Sequence, residues 1–211
     1  MNNKAVSNLG FIGISLLLFT LIFGGQLIEN YDITNQFISE SYAIDTKYGV
    51  FLRILGYIPS GIIIALFCSL GEKYLDPNKL VVKIGFYGIG IFYGLGTTVT
   101  GIFPCDSGCN KELLNLSSSQ IIHNIAALLM YLFVPFFIIL IGLVIRNTRH
   151  WFSIQSVMLG LFSSILVYLF GSDLLGKYVG LYQRVIEIIF ALWIILCSLE
   201  IKKRPYKSIT V

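Results

Sequence analysis

The sequence predicts an all-α fold that crosses a membrane several times, and three observations carry that prediction. Of 211 residues, 56% are hydrophobic and 12% charged, where a soluble domain carries about 25% charged residues. The mean hydropathy is +0.82. The charges are clustered, and the runs between them are close to the length, about 20 residues at 1.5 Å each, that crosses a hydrocarbon core. Six such runs can be delimited, so the reading is one six-helix membrane domain over residues 1–211, a polytopic integral membrane protein.

The first predicted span covers residues 8–28. Lys4 precedes it and no small-x-small cleavage site follows, so it reads as a retained helix and not a cleaved signal peptide. Residues 29–49 form a polar and aromatic loop centred on Ser39-Glu40-Ser41-Tyr42. A second span, 50–70, leads into a turn-rich stretch with Asp76, Pro77 and Asn78. The third, 80–103, places Gly90, Gly94, Thr97 and Gly101 on one face, where a neighbouring helix can approach closely. Glycines inside an apolar run read as packing positions, not as a nucleotide loop.

A two-cysteine loop, Phe103-Pro104-Cys105-Asp106-Ser107-Gly108-Cys109, separates this span from a fourth at 118–145, which Pro135 is expected to kink. The basic turn Arg146-Asn147-Thr148-Arg149-His150 precedes a fifth span, 152–171. The sixth, 181–199, runs into Lys202-Lys203-Arg204-Pro205-Tyr206-Lys207.

An even number of spans puts both termini on one side, and lysine and arginine choose which. One side collects Lys4, Lys73, Lys79, Lys83, Arg146, Arg149, Lys202, Lys203, Arg204 and Lys207, against Lys47, Arg53, Lys111, Lys177 and Arg184 on the other. Ten against five places both termini in the cytoplasm and the cysteine loop outside, in the cell membrane. The net charge of +4 lies largely in ends and loops; it speaks to topology, not to nucleic acid.

On an oxidising face the default for Cys105 and Cys109 is a disulfide. Closing so small a ring is worth only about 2 kcal/mol, so its main effect would be to fix the shape of the loop around Asp106. A redox pair would more naturally be spaced Cys-x-x-Cys, and zinc would need two more ligands than His123 supplies. Cys68 and Cys197 lie in apolar runs and read as core.

His123 lies about five residues into the fourth span and Arg184 about three into the sixth, within roughly 8 Å of one interface plane. His150 is 27 residues from His123, about 40 Å along a helix, which excludes a haem held by both. Arg184 and Glu187 are three apart and can pair. Ionisable groups inside a span are costly against lipid and usually face the bundle interior. Snorkelling to the headgroups and plain packing are the competing readings, for Arg53 and His123 respectively.

Ser39-Glu40, Phe103-Pro104-Cys105-Asp106-x-Gly108-Cys109, His123-Asn124 and Gly180-Leu181-x-Gln183-Arg184 together resemble the DUF998 family over nearly the whole chain. The resemblance implies a multi-pass membrane protein of six helices with an outward-facing site, and brings no assigned activity.

The expected site is therefore a polar pocket at the outer leaflet lined by Glu40, Arg53, Asp106, His123, Gln183, Arg184 and Glu187. Its mixture of cations and carboxylates suits an amphipathic lipid-like or isoprenoid-like molecule with an anionic or polar head, alongside membrane lipids. If there is catalysis, His123 is the acid or base, oriented by Asp106 or Glu40, with Arg53, Gln183, Arg184 and Glu187 holding the ligand. No metal or cofactor is called for. The alternatives are a structural or partner-binding membrane protein, and a thiol/disulfide or quinone-linked redox protein.

Overall fold

The structure, a computed structural model, describes residues 2–76 and 80–203. Pro77 and Asn78 of the second loop, and Lys79, Arg204 and Lys207 of the charge count, lie outside the described residues. Six long helices make up the fold, with no strand among the described residues: α1 (Asn3–Gln26), α2 (Gly49–Leu75), α3 (Leu80–Ile102), α4 (Ser118–Val144), α5 (His150–Ser172) and α6 (Val179–Lys202). By length and composition α1 to α5 are apolar enough to cross a membrane. α6 is as long as α1 but carries Arg184, Glu187, Glu200 and Lys202 and, with α3, is among the most buried of the six.

The predicted spans fall inside these helices or within two residues of their ends, but several helices extend past them. α1 begins at Asn3 because the side chain of Asn2 accepts the Ala5 N–H at 2.8 Å, an N-cap that the apolar count could not register. α4 continues through Pro135, whose carbonyl lies 3.0 Å from the point where a Cβ on Gly160 of α5 would sit.

Each helix packs against the next in sequence, and α6 closes the ring against α1. The glycine face of α3 does what its spacing predicts. A Cβ on Gly94 would lie 2.6 Å from the Ala65 nitrogen of α2, and one on Gly61 would meet the Gly94 carbonyl at 2.5 Å. The two helices therefore pack backbone to backbone. Both also carry a π-helical turn, Arg53–Tyr57 in α2 and Gly90–Leu95 in α3. Such turns shift the register of the side chains beyond them and recur at functional sites.

One end of the ring is filled solid. Trp193, Phe86 and Phe152 stack there, the Trp193 indole N–H donates to Ser156 Oγ at 3.0 Å, and Cys68 and Cys197 are fully buried nearby. Arg149 ties this end together. Its guanidinium donates to the carbonyls of Tyr74 and Leu75, at the C-terminus of α2, and to Glu200 of α6 at 2.6 Å. An arginine at that place neutralises the end of the α2 dipole and joins three helices at once. The same end holds the start of α1 and the end of α6, since Asn3 donates to the Lys202 carbonyl at 2.9 Å.

Candidate functional site

The opposite end is built from two loops laid across the ring. Residues 27–48 wind back over α6: Leu181 N–H donates to the Thr34 carbonyl, and Ile38 N–H donates to Gln183 Oε1 at 2.7 Å. Residues 103–117 lie beside them, joined by a hydrogen bond from Ile44 N–H to the Cys105 carbonyl at 3.0 Å. Cys105 and Cys109 stand at disulfide distance with their Cα atoms 4.8 Å apart. Closing so tight a loop requires left-handed backbone, found at Gly108 (φ 58°), Cys109 (φ 55°) and Asn110 (φ 39°). Glycine accepts that conformation without strain. The cysteine sulfurs pack on the other loop, next to the carbonyl and hydroxyl of Ser39.

Beneath these loops the ring encloses a cavity of about 480 Å³, within the range of small-molecule sites. Every helix and both loops contribute to its wall. Most of that wall is apolar or aromatic, with Leu17, Phe37, Tyr42, Met130 and Phe170 among the residues facing in. Leu128 and Leu132 of α4, and Leu174 just past the end of α5, both line the cavity and are exposed on the outside of the bundle. The cavity is therefore open on its flank, between α4 and α5, at a rim of leucines. Further along the same pair, Gly142 and Gly160 bring the two helices into contact and close that seam.

Of the residues singled out in the sequence, His123, Gln183 and Glu187 reach the cavity wall, and Cys109 borders it. The ring of His123 is buried, with Nδ1 2.9 Å from the Phe103 carbonyl at the end of α3. A carbonyl only accepts, so Nδ1 carries the hydrogen and Nε2 is left as an acceptor in the neutral ring. Gln183 donates from Nε2 to the Tyr131 hydroxyl at 3.0 Å. Glu187 accepts from two tyrosines, Tyr131 at Oε1 and Tyr93 at Oε2, both at 3.1 Å.

Glu40, Arg53, Asp106 and Arg184 lie outside the wall, each bonded elsewhere. The Glu40 carboxylate accepts the Phe37 N–H at 2.8 Å and pairs with Lys111 at 2.9 Å, fastening one loop to the other. Asp106 accepts the Ser117 N–H at 3.1 Å, ahead of α4, and its own N–H donates to Gln120 Oε1. Hydrogen bonds from Ser117 hold the Asp106 carboxyl below the usual carboxylate range. Arg53 donates to the Gly49 carbonyl one turn back along its own helix.

Arg184 and Glu187 do not pair, as their spacing had suggested. Arg184 sits near the helix end, where the first loop offers the Gln36 carbonyl at 2.8 Å and the Tyr31 hydroxyl at 2.7 Å. Glu187, one turn deeper, has only the bundle interior to face. The hydrogen bond of His123 likewise goes to a carbonyl and not to a carboxylate. His123, Asp106 and Arg184 thus lie at one end of the ring but serve three different contacts.

Lys111, Tyr93, Tyr131 and Tyr57 escaped the sequence reading. The tyrosines carried a signal: a phenol inside an apolar run needs a partner for its hydroxyl. Tyr93 and Tyr131 find theirs in Glu187. Tyr57 lines the cavity, and its buried hydroxyl lies beside the Ser41 side chain with no hydrogen bond of good geometry among the described residues.

The family described as protein of unknown function, DUF998, matches residues 11–200. The chain belongs to the DUF998 family. It is a multi-pass membrane protein, and membership brings no activity to the site, so the geometry has to supply one. No curated protein and no solved structure matches the chain.

Proposed function

We propose that this DUF998 protein binds an amphipathic, lipid-like or isoprenoid-like molecule in the cavity beneath its two loops. The observation that carries the reading is a single hollow with polar groups at its inner wall and an exposed leucine rim at its flank. A head group reaching Glu187, Gln183 and His123 leaves its chain a direct exit between α4 and α5 into hydrocarbon, with no water to cross. All six helices then span the cell membrane as one domain. The lysine and arginine bias sets both termini in the cytoplasm and the cavity in the outer leaflet. Binding is favoured over catalysis because His123 has no carboxylate to orient it.

Mass spectrometry of lipids extracted from the purified protein, beside an Ala127→Phe variant that fills the cavity from α4, tests this. A species enriched over bulk lipid in the native protein and depleted in the variant is the expected result. Equal lipid profiles in two equally folded proteins would overturn it.

A further inference from the structure

If the cavity binds an amphiphile as proposed above, its polar groups also select the head. Glu187 is 8% exposed and lies more than two turns inside α6. Its donors are two neutral phenols, and among the described residues no lysine, arginine or histidine pairs with it. Among the described residues Lys111 is the only lysine or arginine on the cavity wall, and Glu40 already holds it. Arg53 and Arg184 are bonded to backbone outside the wall. A negative ligand head would find no free cation here.

A positive one would find several partners. Each oxygen of Glu187 receives one hydrogen bond and has room for a second. Tyr57 is 3% exposed, and its hydroxyl, beside the Ser41 side chain, makes no hydrogen bond of good geometry among the described residues. His123 offers Nε2 as an acceptor in its neutral form. Aromatic rings form the adjoining wall, with Tyr42 and Tyr57 at 4.2 Å and Tyr131 and Phe170 at 5.4 Å between centroids. Ring faces attract a cation most strongly where water is excluded. A buried carboxylate is costly without a counter-charge, and a ligand that brings one removes that cost.

We propose that the cavity takes an organic ammonium group carried on an apolar tail. The ammonium rests against Glu187 within the aromatic wall, and the tail leaves between α4 and α5. The sequence reading allowed an anionic or a polar head; the anionic option loses its support because Arg53 and Arg184 bond elsewhere.

Three probes with one tail separate the charge of the head from binding as such: dodecylamine, dodecanol and dodecanoate. Each is titrated at pH 7 into the full-length protein in nanodiscs, with bound probe counted by native mass spectrometry. The amine should bind about tenfold tighter than the alcohol, since both cation–π and carboxylate contacts act in a water-poor site, and the acid should bind weakest. Glu187→Gln should remove the advantage of the amine over dodecanol, and Glu187→Asp should keep most of it. Dodecanoate binding as well as the amine, or an amine preference that survives Glu187→Gln, would overturn the proposal while leaving the pocket in place. Binding of none of the three would overturn the pocket reading itself. The comparison in the native protein decides the charge preference even if a variant fails to fold.

Discussion

The Tyr131 hydroxyl donates to Oε1 of Glu187 at 3.1 Å while accepting from Nε2 of Gln183 at 3.0 Å. It is the link between a buried carboxyl and the loop above, because Gln183 in turn accepts the Ile38 N–H. Tyr93 touches the same carboxyl but makes no second bond of this kind. Tyr131→Phe should therefore destabilise the protein by about 2 kcal/mol, leaving a buried amide and a carboxyl oxygen short of partners. Tyr93→Phe should cost about half of that. Unfolding of the purified protein in detergent, followed by circular dichroism, ranks the two; the reverse order would contradict the network.

Arg149 supports a second prediction at the filled end of the bundle. Replacing it with alanine removes the guanidinium that the Tyr74 and Leu75 carbonyls and the Glu200 carboxylate share. A loss of about 3 kcal/mol is expected for breaking one side of a buried pair. Arg149→Lys keeps the charge but cannot fork between two carbonyls and a carboxylate, so it should fall between alanine and the native protein. The same unfolding assay reads both.

What the sequence could tell follows from which forces dominate where. Hydropathy located α1 to α5, the helices apolar enough to cross a membrane, because span length is set by chain geometry. The α3 glycines announced a close contact because small residues let backbones approach. The cysteine loop was legible for a similar reason: spacing limits what two cysteines can reach. The orientation of Arg184 was not legible. Its competitors for a partner, Glu187 three residues on and the Gln36 carbonyl 148 residues away, are told apart only by the path of the first loop. Glu40 was placed at the right end of the bundle, yet its link to Lys111 joins two loops that hydropathy treats alike. Lys111 itself sits in a loop with no periodicity, and nothing in its neighbours marks it as part of a wall.

Asp106 gives a prediction in pH. Its carboxyl is held below the usual range by Ser117, so the charged form is the one the fold favours. The contribution is present above the ordinary carboxylate value of about 3.9 and fades as pH falls through the lowered folded value. Asp106→Asn should therefore lower the unfolding temperature at neutral pH. The gap to the native protein should narrow at about pH 3, below the unfolded carboxylate value. A gap that stays constant between the two conditions would show that the charge is not what matters.

The cysteines make a chemical prediction. Cys68 and Cys197 are buried in the core, and Cys105 and Cys109 are joined. The folded protein should take up no thiol reagent, and two of its four cysteines should label only after reduction. Gly108 has φ 58° and open space around the position of a Cβ. Gly108→Ala should cost about 1 kcal/mol through the left-handed backbone alone, with labelling unchanged. Free thiols in the unreduced protein would contradict the pairing.

The orientation of the bundle is the last prediction. Asn3 donates to the Lys202 carbonyl, so the start of α1 and the end of α6 lie together whatever the sidedness. Among the described residues that end carries Lys4, Lys73, Lys83, Arg146, Arg149, Lys202 and Lys203, against Lys47, Arg53, Lys111, Lys177 and Arg184 at the other. Several of these are tied within the fold: Arg149 in the α2 cap, Lys111 to Glu40, Arg184 to the first loop. Partnering inside the folded state does not cancel the bias, because orientation is set as the helices insert, before those bonds exist. Both termini should therefore be cytoplasmic. A fluorescent protein fused after Val211 should mature normally, and alkaline phosphatase at the same point should be inactive. A cysteine placed at Lys47 should label from outside intact cells with a membrane-impermeant reagent. Active phosphatase at the C-terminus would invert the whole assignment and put the cavity and the cysteine pair on the reducing side.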